Sequence, residues 1–487
     1  MVFLCGIAGI YDFLERRAGF LLGKMLLMIK HRGPDYSGYI IDGRRIDESD
    51  IPSIRGRIGI GYNMLAISGR YPGIIANENQ KLWIVCDGWV YNYQELREEL
   101  EKKGHKFSTN ANVEVILHAF EQNSLNRIIG GFSFAIYDAA KSKILVYRDF
   151  LGLRPLFYGI GDNIILFASE RKALRKFVHE MHRLPPGYRL VIEEDGFSVE
   201  KVFDMNDWLG DVKKERSLDN LVKELEKALT DSIISRAYDP IGILFSGGID
   251  SSIIAKISKD QGLDITLFST GFEDSHDLLW AMKVANILRL PHKVRVLREE
   301  ELEELMIKTI KAIDEADPLK VLIGMPLYAT AEKVREEGFR VAFSGQGADE
   351  LFGGYAKYLR SPNPEEDMIN DFKNLYLNNL ERDDHCLMAN SVEARYPYLD
   401  ISVIRVAFKT PMEYKIRDSQ RKYVLRVLGK KIGLPREVCE KPKKAVQYGS
   451  GVTRVMKRIA RKMGYSLKDF IKLKAREIGI LDRISRL

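Results

Sequence analysis

Ile241-Gly242-Ile243-Leu244-Phe245 runs straight into Ser246-Gly247-Gly248-Ile249-Asp250-Ser251-Ser252, and this junction decides the fold. A short apolar run that ends in glycines reads as a buried strand. The two glycines let the backbone approach an anion closely, and the helix expected to follow points its free N–H groups at the same spot. Ser246, Ser251 and Ser252 add hydroxyl donors, and Asp250 is placed to hold a divalent cation beside phosphates. The Lys of a Walker A loop is missing, so the usual β/γ-phosphate cradle is not built. A loop of this kind suits pyrophosphate as a leaving group, and hence adenylation. The competing reading is a glycine turn with serine caps.

Working outward, the strand-like runs Ile265–Ser269, Lys293–Leu297 and Arg340–Phe343 alternate with helical segments, which is the pattern of a parallel sheet. Ligands of such sheets bind at the carboxyl ends of the strands, where Ser246 and Ser344 fall. Ser217 is a candidate cap for a helix with Leu218, Leu221, Val222, Leu225, Ala228 and Leu229 on one face. Before it, the polar stretch Asp204–Arg216 reads as a linker. The chain ahead of the linker is β-rich, with strands at Lys81–Cys86, Gly131–Tyr137, Lys143–Tyr147 and Ile164–Ala168. Helices are predicted over Phe20–Ile29, Gln94–Lys103 and Val113–Gln122, and Leu184-Pro185-Pro186-Gly187 reads as a turn near the end of this part.

A chain of 487 residues holds two or three domains, and 45% apolar with 29% charged content is that of a soluble globular protein. The apolar start, Met1–Ile10, is too short to cross a bilayer and lacks a basic leader, so it is expected to be a strand of a cytoplasmic protein. Cys5, Cys86, Cys386 and Cys439 form no CxxC pair, and neither a zinc site nor a disulfide framework is expected. The net charge of +7 sits in the tail, where residues 453–487 carry eleven Lys or Arg against three Asp or Glu. Val455, Met456, Ile459 and Met463 recur there at helical spacing among basic residues, which predicts a helix docked by its apolar side. No aromatic interleaving or motif points to nucleic acid as a partner.

Cys5-Gly6-Ile7-Ala8-Gly9 opens the chain, and a cysteine near an N-terminus can use a free α-amine as its base. A small buried residue in a first strand is the blander alternative. His31-Arg32-Gly33-Pro34-Asp35, Tyr91-Asn92, Arg148-Asp149 with Gly152 and Pro155, and Ser344-Gly345-Gln346-Gly347-Ala348-Asp349-Glu350 follow in order. From Cys5 to about Tyr448 this series resembles the glutamine-hydrolysing asparagine synthetases. The resemblance implies an α/β protein whose first part is α+β: an N-terminal-nucleophile αββα sandwich over residues 5–203, then a parallel-sheet ATP-pyrophosphatase domain over 217–487. It also implies ATP and Mg2+ as cofactors, and a carboxylate, by default aspartate, with ammonia or glutamine as small-molecule substrates. No membrane is involved, and a homodimer is expected. By similarity, Leu244, Thr270, Ser344 and Gly345 surround adenosine, and Ser246, Gly247, Gly248, Ser251 and Ser252 hold pyrophosphate. Asp250 and Asp349 become magnesium ligands. Lys443 or Lys444 meets the α-phosphate; the basic-x-Lys spacing favours Lys443, and a solvated basic run is the alternative.

The departures from the family pattern are specific. Gln346 stands where asparagine synthetases carry a Glu; a Gln orients an acceptor by hydrogen bonds but takes no proton. β-Lactam synthetases also vary this position, so a different carboxylate stays open. Met64 replaces the Arg that binds the α-carboxylate of glutamine. Asp87, before Gly88, replaces the Asn that donates to the oxyanion, and losing one such donor costs about 100- to 1,000-fold in turnover. Asn112 replaces the Asp that pairs with the substrate ammonium. Asp87 and Asn112 could pair with each other. Four residues precede Cys5, so a self-activated nucleophile requires their removal or a later start. The reading is therefore an AMP-forming amide ligase with an impaired or repurposed glutaminase site. The alternatives are a ligase for another carboxylate and a non-catalytic nucleotide-binding regulator.

Overall fold

The computed structural model describes residues 3–67, 74–205, 209, 212–441 and 451–480, with backbone alone at 3–5. The chain divides into two compact units at the Asp207–Trp208 junction.

The first unit is built on two antiparallel sheets. Strands β1 (Phe3–Asp12), β2 (Tyr36–Ile41), β3 (Arg44–Ile46) and β4 (Ile58–Ala66) are followed by β5 (Ile75–Ala76), β6 (Leu82–Val90), β7 (Gly130–Asp138) and β8 (Lys143–Arg148). Then come β9 (Phe157–Gly161), β10 (Ile164–Ala168), β11 (Glu180–Arg183), β12 (Tyr188–Glu193) and β13 (Gly196–Lys201). One sheet has the order β11-β9-β10-β1-β4-β2-β3 and the other β13-β12-β8-β7-β6-β5. Alternation divides β1 between two cores: Ile7 and Tyr11 join the core shared with β6–β8, whereas Ala8 and Ile10 pack under helix α1 (Ala18–Met28). Helices α2 (Tyr93–Lys102) and α3 (Glu114–Glu121) contribute Leu96, Leu100, Val115 and Leu117 to the shared core. The layers are helix, sheet, sheet, helix, the αββα sandwich expected from the resemblance.

In the second unit, helix α4 (Leu218–Arg236) starts at the Ser217 cap, whose side chain accepts from the Asn220 N–H at 3.3 Å. Its buried stripe is Leu221, Val222, Leu225, Ala228 and Leu229; Leu218, predicted to belong to it, is only half-buried in the first turn. Strands β14 (Ile241–Leu244), β15 (Ile265–Gly271), β16 (His292–Val296), β17 (Val341–Phe343) and β18 (Glu393–Arg395) form a sheet of order β16-β15-β14-β17-β18. All its pairings are parallel, with β14 at the centre. Helix α5 (Ile249–Asp260) follows β14, and α6 (His276–Leu288) follows β15. Helices α7 (Leu302–Ile313) and α8 (Pro318–Glu336) lead to β17, and the short α9 (Ala348–Phe352) leaves it.

The basic tail forms α10 (Val452–Lys462) and α11 (Leu467–Glu477). Val452, Val455, Met456 and Ala460 are buried against a core that includes Leu305 and Met306 of α7. Arg458 pairs with Glu299, and Lys474 with Glu303 at 2.9 Å. Met463 departs from the predicted stripe. The helix ends at Lys462, Gly464 turns the chain at φ +80°, and Met463 is left 56% exposed.

Candidate active site

The loop after β14 and the start of α5 lie together at the carboxyl end of the central strand. Gly247 has φ +66°, and a Cβ there would lie 2.8 Å from the Trp280 ring, so only glycine fits. Trp280 fixes the loop from the other side, its Nε1–H donating to the Gly247 carbonyl at 2.8 Å. The Gly248 N–H donates to Ser246 Oγ at 3.3 Å, and Ser251 Oγ lies 3.4 Å from Ser246 Oγ. Ser252 Oγ is buried in the first turn of α5 without a partner among the described residues. The hydroxyls and the free N–H groups of the helix N-terminus thus collect where an anion binds best.

Asp250, in the first turn of α5, and Asp349, at the start of α9, share one cation. Lys422 Nζ lies 2.6 Å from Asp250 Oδ2 and 2.7 Å from Asp349 Oδ1, with its side chain 1% exposed. A Cβ on Gly354 would stand 1.8 Å from Asp349 Oδ1 and 2.3 Å from Lys422 Cε, so glycine there makes room for the triad. The two loops also touch, since a Cβ on Gly345 would be 3.1 Å from that of Asp250. Lys422 adopts φ +59°, an uncommon conformation for a non-glycine residue, of the kind that collects at functional sites.

Sequence reasoning missed Lys422. It stands 172 residues from Asp250, and no local spacing links the two. In the sequence it sits in the polar run Asp418-Ser419-Gln420-Arg421-Lys422, which carries no sign that this lysine is buried.

The other residues assigned to the nucleotide lie at the same strand ends. Leu244 closes β14, Thr270 is in β15 and accepts from Thr330 Oγ1 at 2.8 Å, and the Ser344 N–H donates to the Arg395 carbonyl at 2.9 Å. Gln346 is half-buried, its N–H donating to Ser344 Oγ at 3.3 Å. Glu350, one helical turn beyond it, is buried. Its Oε1 accepts from Tyr355 Oη at 2.5 Å and Asn379 Nδ2 at 3.1 Å. Burial, then the charge of Asp349, pushes its carboxyl up to about 7. Lys443 and Lys444 lie outside the described residues. Lys441, just before them, places its Nζ 3.5 Å from the centroid of the Trp280 ring, against the same indole that braces Gly247.

In the first unit, register places Met64 of β4 opposite Cys5 of β1, and Met64 is buried in the shared core. Asp87 and Gly88 lie in β6, paired with Ser133 and Phe132 of β7. The Asp87 carboxylate is held by buried groups: Arg32 Nη2 at 3.0 Å and Ser169 Oγ at 3.0 Å. Arg32 also reaches Glu170 at 3.1 Å, which in turn meets His31 Nε2 at 2.9 Å and Lys172 at 2.7 Å. The predicted Asp87–Asn112 pair is therefore not formed. Arg32 Nη2 and Ser169 Oγ both bond to Asp87 Oδ2, and the Asn112 amide bonds to neither carboxylate oxygen. Asn112 is 1% exposed, and neither atom of its amide has a hydrogen-bond partner among the described residues.

The Arg148-Asp149 motif is architectural. Arg148 donates to the carbonyls of Arg154 at 2.7 Å, Leu184 at 2.7 Å and Gly152 at 3.1 Å, while Asp149 accepts from the N–H groups of Leu151 and Leu153 at 2.9 and 3.1 Å.

A family model described as a glutamine amidotransferase domain matches residues 4–184. One described as asparagine synthase matches residues 224–368 and 361–482. The chain is 36% identical to "Putative asparagine synthetase [glutamine-hydrolyzing] 1" of Methanocaldococcus jannaschii, over 98% of this chain and 99% of the relative. It is 30% identical to "Probable asparagine synthetase [glutamine-hydrolyzing]" of Schizosaccharomyces pombe, over 87% of this chain and 79% of the relative. It is 29% identical to asparagine synthetase B of Escherichia coli, over 87% and 73%.

Proposed function

The chain belongs to the glutamine-hydrolysing asparagine synthetase family, an ATP-dependent carbon–nitrogen ligase, and on that premise we propose that it adenylates aspartate and transfers ammonia to the acyl-adenylate, with weak use of glutamine. The observation that carries the synthetase half is the convergence of Asp250, Asp349 and Lys422 beside the Ser246–Ser252 loop. The aspartate carboxylate attacks the α-phosphorus of ATP, and pyrophosphate leaves into the loop. There the Gly248 region, Ser252 Oγ and the N-terminus of α5 receive its charge. Lys422, already in place between two carboxylates, supplies a buried positive charge next to the same loop.

Two carboxylates brought to one cation from separate strand ends fit Mg2+, whose preferred ligands are oxygens. Asp250 and Asp349 would hold it, and bound with the nucleotide it neutralises phosphate charge. Leu244, Thr270, Ser344 and Gly345 line the nucleoside end, and Lys443 neutralises the α-phosphate. Ammonia then attacks the acyl carbon and AMP leaves. Gln346 orients the acceptor and takes no proton.

In the first unit Cys5 is the nucleophile once its α-amine is free. Met64, Asp87, Gly88 and Asn112 form a pocket without the charged anchors for an α-amino acid. The buried, unpartnered Asn112 amide supports a pocket that still receives a polar ligand, because such a group is costly to leave unmet. A cytoplasmic setting agrees with the thiols of Cys86, Cys386 and Cys439, none in a disulfide. A homodimer completes the proposal and rests on the family resemblance.

Aspartate-dependent ATP–pyrophosphate exchange in Mg2+ tests the synthetase half. Exchange in the native chain that is lost in Lys422→Met and in Lys443→Ala supports the assignment. Normal exchange in either variant removes that lysine from the site.

A further inference from the structure

One cluster in the first unit lies outside the amide chemistry. Glu78 follows β5, His105 follows α2, and His118 and Glu121 share a face of α3 at i, i+3 spacing. One ligand atom from each lies within 4.8 Å of every other. Both imidazoles address the same oxygen: Glu121 Oε2 is 3.0 Å from His118 Nδ1 and 3.5 Å from His105 Nδ1. A tetrahedral ion with arms of about 2.0–2.1 Å spaces its donors about 3.3 Å apart, so a small inward movement of the carboxylates closes the shell.

The second feature is the outer shell. Metal ligands are held by partners on their far atoms; Glu78, Glu121 and His105 each have a polar group within hydrogen-bond distance there, and His118 has a carboxylate farther off. Glu78 Oε1 accepts from the Lys106 N–H at 2.9 Å, and Glu121 Oε1 accepts from Asn77 Nδ2 at 2.8 Å. The Gln122 amide nitrogen lies 2.9 Å from His105 Nε2, and a turn of the carboxamide brings its oxygen there to accept from Nε2–H, leaving Nδ1 for the ion. The buried Glu114 carboxylate lies 3.9 Å from His118 Nε2, within reach of an ion pair and beyond a hydrogen bond. Glu114 is itself anchored by the Ser108 and Thr109 N–H groups at 2.6 and 2.8 Å. Glu78 also lines a cleft of about 780 Å³, and Glu121 is exposed, so the cluster is open to solvent.

We propose that Glu78, His105, His118 and Glu121 bind one divalent first-row transition metal ion, zinc foremost. Two imidazoles and two carboxylates are a donor set of the zinc class, and the harder oxygen-only preference of Mg2+ does not match it. The proposal departs from the expectation of no zinc site, which rested on the cysteines, and uses histidines and carboxylates distant in sequence. The ion would tie the turn after β5 and the loop after α2 to α3, whose first turn follows Asn112 of the amide pocket.

The test uses the full chain, stripped with a chelator and titrated with ZnCl2 in excess Mg2+ so that the Asp250–Asp349 pair is filled. Co2+ serves as the spectroscopic probe. The proposal predicts one Zn2+ per chain, visible absorption of tetrahedral Co2+, and a rise in melting temperature on adding zinc. His105→Ala and Glu78→Gln, changed outside the buried core, should lose all three while keeping ATP–pyrophosphate exchange. Gln122→Ala should weaken zinc about 10- to 100-fold through its hold on His105. Zinc uptake unchanged in both His105→Ala and Glu78→Gln, or no uptake by the native chain, overturns the proposal.

Discussion

Lys422 is the residue on which the synthetase site turns. Its side chain is buried between Asp250 and Asp349, so Lys422→Met leaves two carboxylates facing each other and should cost about 3 kcal/mol of stability. Mg2+ should recover part of that loss. Thermal unfolding with and without Mg2+ is the check, and the metal should stabilise the variant more than the native chain. Glu350 gives a pH signature of opposite sense. Its folded pKa, about 7, lies above the ordinary 4.5. Between those values the unfolded state releases the proton while the folded state keeps it, so this group's contribution is full below pH 4.5 and lost as pH rises through 7. Glu350→Gln should thus be neutral at pH 4 and stabilising by up to about 3 kcal/mol at pH 8, read from denaturant melts at both values. At this scale the sequence was legible where residues are near neighbours in the chain. The Ser246–Ser252 loop could be read directly, whereas Lys422 meets its partners only through the fold. The Asp87–Asn112 pair is not formed: Arg32, distant in sequence, holds Asp87 Oδ2, and the Asn112 amide makes no hydrogen bond among the described residues.

At the scale of elements, alternation and capping carried most of the information. The strand predicted at Ile164–Ala168 has those ends, and β6 extends four residues past its predicted Cys86, as far as Val90. The extension runs through Asp87 and Gly88, polar and glycine positions that end an apolar pattern but are kept in the ladder by pairing to Ser133 and Phe132. The stripe of the tail helix held at Val455 and Met456 and broke at Met463, where Gly464 turns the chain away. Arg148 joins elements that no periodicity connects, since its three carbonyl acceptors lie at Gly152, Arg154 and Leu184. Arg148→Leu strands these buried carbonyls, at a cost of about 3 kcal/mol or more. Calorimetry should show the transition of the first unit lowered by roughly 6–12 °C. Pyrophosphate exchange at low temperature should persist.

At the scale of the whole molecule, the two units read as two chemistries in different condition. The second keeps its loop, its paired carboxylates and a buried cation together. The first keeps the αββα frame, and on the proposed reading Met64 and Asn112 leave it without the charged groups that grip a free amino acid. Its Asn112 amide is buried without a protein partner among the described residues, so Asn112→Leu should be neutral or stabilising by about 1–2 kcal/mol while abolishing what glutamine use remains. On the proposed reading the protein is a working synthetase uncoupled from efficient glutamine use. The most direct measurement is asparagine and pyrophosphate formation from ATP, Mg2+ and aspartate, with ammonium or glutamine as the nitrogen source. Both products are expected with ammonium, and a rate with glutamine at least about 100-fold lower, as for a lost oxyanion donor. Equal rates from the two donors would contradict that reading.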